Sequence, residues 1–154
     1  MRYILAIDPG KSGGMASWSD AYVVKALPMP DTPREIIDAI NDYFQVACRN
    51  SIVIMEKVSG YAGGGGQPGS AMFRFGEGYG FIQGVVMTLG MRLELVTPQK
   101  WQKALGLSHR EKTQSKCEWK NKLKAEAERL YPGVKVTLAT ADALLLLEYA
   151  RRMS

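Results

Sequence analysis

The chain has 154 residues, a formal net charge of +5, and 46% hydrophobic against 23% charged residues, the profile of a soluble globular chain with room for a full core. No apolar stretch reaches the roughly 18 residues of a membrane span, and the start lacks a basic-then-apolar signal pattern. One histidine, His109, excludes chemistry built on several imidazoles, and Cys48 and Cys117, with no CxxC spacing, argue against zinc. One domain over residues 1–154 is therefore expected.

Residues 2–8 form an apolar run that ends on Asp8 and enters the turn Pro9-Gly10-Lys11-Ser12-Gly13-Gly14. Residues 15–19 and 21–27 continue as a strand meander. A helix follows, with Thr32 as cap, Pro33 at its first position and Glu35 completing a capping box. Ser51 to Glu56 is a second buried strand ending on a carboxylate, followed by a glycine-rich loop to Ser70. Residues 71–90 read as a helix in which Gly76, Gly80 and Gly84 fall on one stripe, a sign that another backbone packs close, from the sheet or from a second copy. Residues 91–96 alternate as a strand, and Thr97-Pro98 opens a short helix that stops at Gly106. A long basic helix over 111–131 turns Trp119, Leu123, Ala127 and Leu130 inward, and a last helix from about Thr140 carries Asp142 ahead of four leucines. The order β-β-β-α-β-α-β-α-α-α is that of an α/β chain without repeats.

Asp8 and Glu56 each end an apolar strand, and Asp142 opens an apolar helix. Neighbouring strands lie about 5 Å apart, so both strand ends can reach one site, and a helix packed on them brings the third acid. Carboxylates gathered this way repel unless a cation neutralises them. Hard oxygen donors without His or Cys select Mg²⁺ or Mn²⁺, and two such ions activate water and stabilise the leaving oxygen of a phosphodiester. Read singly, Asp8 as a turn residue, Glu56 paired with Lys57, and Asp142 facing a helix dipole are each unremarkable; their joint occurrence is not. The P-loop reading of Gly10-Lys11-Ser12 fails because Leu5 stands where the motif needs glycine.

Positive charge is concentrated in residues 100–135, with ten Lys or Arg against four Glu, a face suited to a polyanion. Within it Lys112, Lys116, Lys120 and Lys124 recur every four residues, a row able to track phosphates. Lys11 is a further candidate for phosphate contact, the alternative being a solvated lysine of the turn. Tyr61 and Phe73 are candidates for stacking on exposed bases, and of Phe73 and Phe75, which point to different helix faces, at least one belongs to the core.

Ile7-Asp8-Pro9-Gly10 with Gly13-Gly14, Glu56 ending a later strand, and Ala141-Asp142-Ala143-Leu144 together resemble the RuvC-like Holliday junction resolvases of the ribonuclease H-like superfamily. Gly76-Glu77-Gly78-Tyr79-Gly80 with Gly84, and Val96-Thr97-Pro98-Gln99-Lys100-Trp101, are most similar to the branch from phages, bacteria and chloroplasts. The resemblance implies a ribonuclease H-like mixed sheet, three antiparallel strands plus parallel ones, flanked by helices. It implies a homodimer that cuts four-way DNA junctions by paired metal-dependent nicks, with Asp8, Glu56 and Asp142 as catalytic metal ligands and a nearby catalytic lysine, for which Lys116 is chosen. It also implies a cytoplasmic, nucleoid-associated setting in a bacterial or phage-infected cell, no membrane, and no nucleotide cofactor. The family's fourth metal-site residue is expected three or four positions before Asp142, where this chain has Ala139 and Leu138; Glu148 falls on the opposite helix face. Two rival readings follow: a related nuclease acting on hybrids or flaps, and a weakly active or non-catalytic junction-binding protein.

Overall fold

The strands are short, apolar and rich in Ile, Val and Met, and they assemble around the first of them. A computed structural model of the chain describes residues 2–21, 23–47, 51–58, 69–107 and 113–153. Its elements are β1 (Tyr3–Asp8), β2 (Gly14–Ser19), β3 (Val24–Pro28), α1 (Pro33–Ala47), β4 (Ser51–Glu56), α2 (Gly69–Thr88), β5 (Arg92–Val96), α3 (Pro98–Ala104), α4 (Lys116–Leu130) and α5 (Ala141–Met153). The sheet order is β3-β2-β1-β4-β5. β1 pairs antiparallel with β2 and parallel with β4, and β4 pairs parallel with β5. This is a ribonuclease H-like mixed sheet flanked by helices, as expected.

Alternation along the strands divides the core in two. Ile4, Ala6, Ala16, Trp18 and Ile54 face α4 and α5, whereas Leu5, Ile7, Met15, Val53 and Met55 face α1 and α2. Ile82 and Val86 are the buried residues of α2. Leu144 to Leu147 are all buried in α5, each worth about 1.5–3 kcal/mol of transfer free energy. α5 therefore lies on the face toward which the even-numbered residues of β1, Asp8 included, point.

The helix starts follow local hydrogen bonding. The Glu35 N–H donates to Thr32 Oγ1 at 3.2 Å and the Thr32 N–H to Glu35 Oε2 at 3.0 Å, the expected capping box. α4 begins later than its amphipathic pattern suggested, because Ser115 and Glu118 form a capping box of their own. Lys112 falls outside the described residues, as do Tyr61 and His109. Thr137 and Thr140 exchange hydroxyl–amide bonds of 3.0 and 3.3 Å ahead of α5.

The glycine stripe of α2 departs from one expectation. A side chain at Gly76, Gly80 or Gly84 would meet nothing within 4 Å, so the stripe does not pack on this chain's sheet. Close approach is instead required at Gly14, where a Cβ would lie 2.6 Å from the Ala139 carbonyl oxygen and 2.9 Å from that of Leu27. Gly14 thus lets the segment entering α5 lie against the start of β2. We expect Gly14→Ala to cost about 1–3 kcal/mol, as overpacking does, read as a lowered urea midpoint at unchanged m-value.

A carboxylate cluster at the ends of two parallel strands

The parallel register matches Ile7 with Met55, so the next residues, Asp8 and Glu56, leave the sheet side by side. By alternation with Ile7 and Met55, which face α1 and α2, both acids fall on the face covered by α5. Asp142 lies in the first turn of that helix and is only 8% exposed. Three acids distant in sequence are thus brought to one end of the molecule, and each acts electrostatically on another: Asp142 and Glu56 on Asp8, and Asp142 on Glu56.

Burial pushes the Asp8 carboxyl well above the usual carboxylate range, and the charges of Asp142 and Glu56 push it further; Lys120 offsets only part of this. Glu56 is raised for the same first reason. The indole Nε1–H of Trp101 opposes that rise by donating to Glu56 Oε2 at 3.0 Å. Trp101 is fully buried, so it fixes the orientation of Glu56 as well as filling the core.

Lys120, from α4, donates to Asp142 Oδ2 and forms an ion pair with it. Desolvation is the largest influence on its ammonium and acts to lower its pKa. Asp142, Asp8 and Glu56 together outweigh that effect and leave Lys120 above the ordinary lysine value. The other Asp142 oxygen, Oδ1, is buried and has no hydrogen-bond partner among the described residues. A buried, bare carboxylate oxygen is costly, and a cation is the partner that its chemistry suits. The donor set therefore fits a hard divalent ion. Among the described residues, however, no three acids are already closed around a single point.

The turn after β1 is shaped to serve the cluster. Gly10 has φ +110° and lies beneath the Phe75 ring, and a Cβ at Gly13 would collide with the Asp8 carbonyl at 2.1 Å. Phe75 is thus the half-buried member of its pair, stacked with Tyr79 at 6.4 Å, while Phe73 is 72% exposed. Lys11 is exposed on the same turn. Lys116 is exposed one helical turn before Lys120, and Lys124 pairs with Glu128 at 2.7 Å. The lysine that touches the acids is Lys120; Lys116 is further along the same row.

Leu138 is 50% exposed and Ala139 packs its carbonyl against Gly14, so neither supplies a fourth acid. Glu148 accepts from the Tyr131 hydroxyl at 2.8 Å and pairs with Arg151 and Arg152, a structural role remote from the cluster. A cleft of about 550 Å³ is lined by Tyr3, Ser19, Val23 and Tyr43 among others, and by none of the three acids. Among the described residues no helix is long and apolar enough to cross a membrane.

Two solved structures of similar fold span the chain. A Thermus thermophilus RuvC in complex with Holliday junction substrate aligns over 100% of this chain and 97% of its own, with TM-score 0.64 and 13% identity. A second Thermus thermophilus RuvC structure aligns over 98% of this chain and 96% of its own, with TM-score 0.60 and 16% identity. No family model matches the sequence, and no curated protein does.

A carboxylate whose folded pKa is raised binds more protons folded than unfolded. Stability then falls as pH rises from the ordinary aspartate value of about 3.8 through the raised folded value of Asp8. We expect the metal-free protein to lose stability with rising pH across that window. Asp8→Asn should remove much of the loss and raise the urea midpoint in EDTA at neutral pH, as urea titrations of both proteins at several pH values will show.

Proposed function

From a chain with the RuvC fold whose strand ends gather three acids, we propose a divalent-metal-dependent endonuclease acting on four-way DNA junctions as a homodimer. The observation that carries the reading is the coupled cluster of Asp8, Glu56 and Asp142, with its orphaned Asp142 oxygen, at the ends of two parallel strands. The junction substrate is supported by the similar fold of a RuvC solved with such DNA.

Asp8, Glu56 and Asp142 would hold Mg²⁺ or Mn²⁺, which supplies a polarised water and neutralises charge on the scissile phosphate. The chain's own groups do the rest. Trp101 keeps Glu56 oriented, and Lys120 keeps a positive charge beside Asp142 where phosphate must approach. Lys116, with Lys124 and Lys11 beyond it, offers further positive charge to the DNA backbone, contacts that position without reading sequence. Phe73, exposed on α2, offers a face for a base unstacked at the branch point.

The open stripe of Gly76, Gly80 and Gly84, flanked by exposed Phe73 and Met87, suits close approach of the same helix from a second copy. Two sites related by a two-fold axis would then nick two strands of a junction symmetrically.

We expect a labelled four-way junction to receive paired, symmetrically placed nicks in Mn²⁺ and none in EDTA. Asp8→Asn should lower cleavage by at least about a thousandfold, on the scale of losing an essential catalytic group, while retaining junction binding. Preference for an RNA–DNA hybrid or a flap would move the substrate assignment to another nuclease class. Tight junction binding without nicking in either metal would make the protein a binding module.

A further inference from the structure

The turn that carries the chain away from Asp8 has little of its own to hold it. Pro9-Gly10-Lys11-Ser12-Gly13-Gly14 includes three glycines, which give a backbone more freedom than any other residue. Gly10 takes φ +110°, a conformation that side-chain-bearing residues rarely adopt. Lys11 and Ser12 are exposed. One backbone hydrogen bond closes the turn, from the N–H of buried Gly13 to the Gly10 carbonyl at 3.0 Å.

Two contacts from elsewhere in the chain grip this turn. The Ala139 carbonyl lies against Gly14 at its end. Phe75 covers Gly10 near its start: a Cβ there would lie 2.9 Å from ring atom Cε2 and 3.5 Å from Cδ2. Among the described residues, nothing else outside the chain neighbours comes within 4 Å of that point. The ring is itself held in place. Tyr79, one turn along α2, stacks on it with planes 12° apart, and Tyr79 packs on the core that includes Ile7, Met15 and Met55. A line of contacts thus runs from the core through Tyr79 and Phe75 to Gly10. The turn then returns to the acid itself, since a Cβ at Gly13 would lie 3.2 Å from Asp8 Cγ. Phe73, two residues before Phe75, is exposed and takes no part in this line.

We propose that Phe75 is a positioning residue: its ring edge pins Gly10, keeps the turn closed, and so fixes Asp8 for the reaction. The link to the reaction rests on the nuclease reading above, whereas the hold on the turn does not.

The test compares wild type with Phe75→Tyr, which keeps the ring edge, and Phe75→Leu, which keeps an apolar side chain but lacks the Cε2 atom that reaches Gly10. Hydrogen exchange of the Gly13 amide, followed by NMR on the full chain without metal or DNA, reads the turn directly. It should be at least about tenfold faster in Phe75→Leu and within about twofold of wild type in Phe75→Tyr, with β1 amides such as that of Ala6 unchanged, the pattern of a local opening. In Mn²⁺, single-turnover nicking of a four-way junction should fall about tenfold to a hundredfold in Phe75→Leu, the scale of a misplaced reacting group, while junction affinity stays within about twofold. Phe75→Tyr should restore the rate. Unchanged Gly13 exchange in Phe75→Leu would overturn the inference, as would exchange that rises equally in β1 or in Phe75→Tyr. Faster Gly13 exchange with an unchanged nicking rate would overturn the link to Asp8. Wild type that shows the expected Gly13 protection but nicks no junction would sink the nuclease reading alone and leave the hold on the turn standing.

Discussion

Like charges held close in a poorly solvated place are the constraint around which this molecule is organised. Asp8, Glu56 and Asp142 repel one another, and burial already disfavours ionisation of the first two. A fold does not assemble such a cluster for stability, because hydrophobic replacements would cost less. The rest of the structure pins it in place. The parallel β1–β4 register sets two acids abreast, α5 delivers the third, the leucine run of α5 anchors that helix to the sheet, and Lys120 supplies partial neutralisation.

The glycines around the cluster mark where backbone must come close. Gly13 and Gly14 let the chain fold back under Asp8 and against the entrance to α5. Gly76, Gly80 and Gly84 are different in kind: they leave an open furrow on α2 instead of filling one within the chain. Both sets break the helix and strand preferences of their segments, and each does so where something other than a side chain has to fit.

Much of this is legible in the sequence. An apolar strand that ends on an acid announces itself, and Asp8 and Glu56 did so twice; Asp142 was legible because its helix is otherwise so apolar. The capping box at Thr32 and Glu35 is a local signal, and both of its hydrogen bonds form. Lys120 was harder to single out. Lys116, Lys120 and Lys124 share one helix face, and which rung meets Asp142 depends on how α4 crosses α5, a tertiary quantity that periodicity does not contain. Trp101 carries no evident role in the sequence, since a buried tryptophan looks like core; the available signal is that its buried N–H needs an acceptor. The glycine stripe was legible as a stripe, but not which surface it faces.

The metal reading of the carboxylate cluster is open to anomalous diffraction at the manganese edge, from crystals grown with Mn²⁺. We expect a peak in contact with Asp8, Glu56 and the bare Oδ1 of Asp142, with Lys120 still on the other Asp142 oxygen. Absence of a peak there at saturating Mn²⁺, or a peak held by other residues, would contradict it.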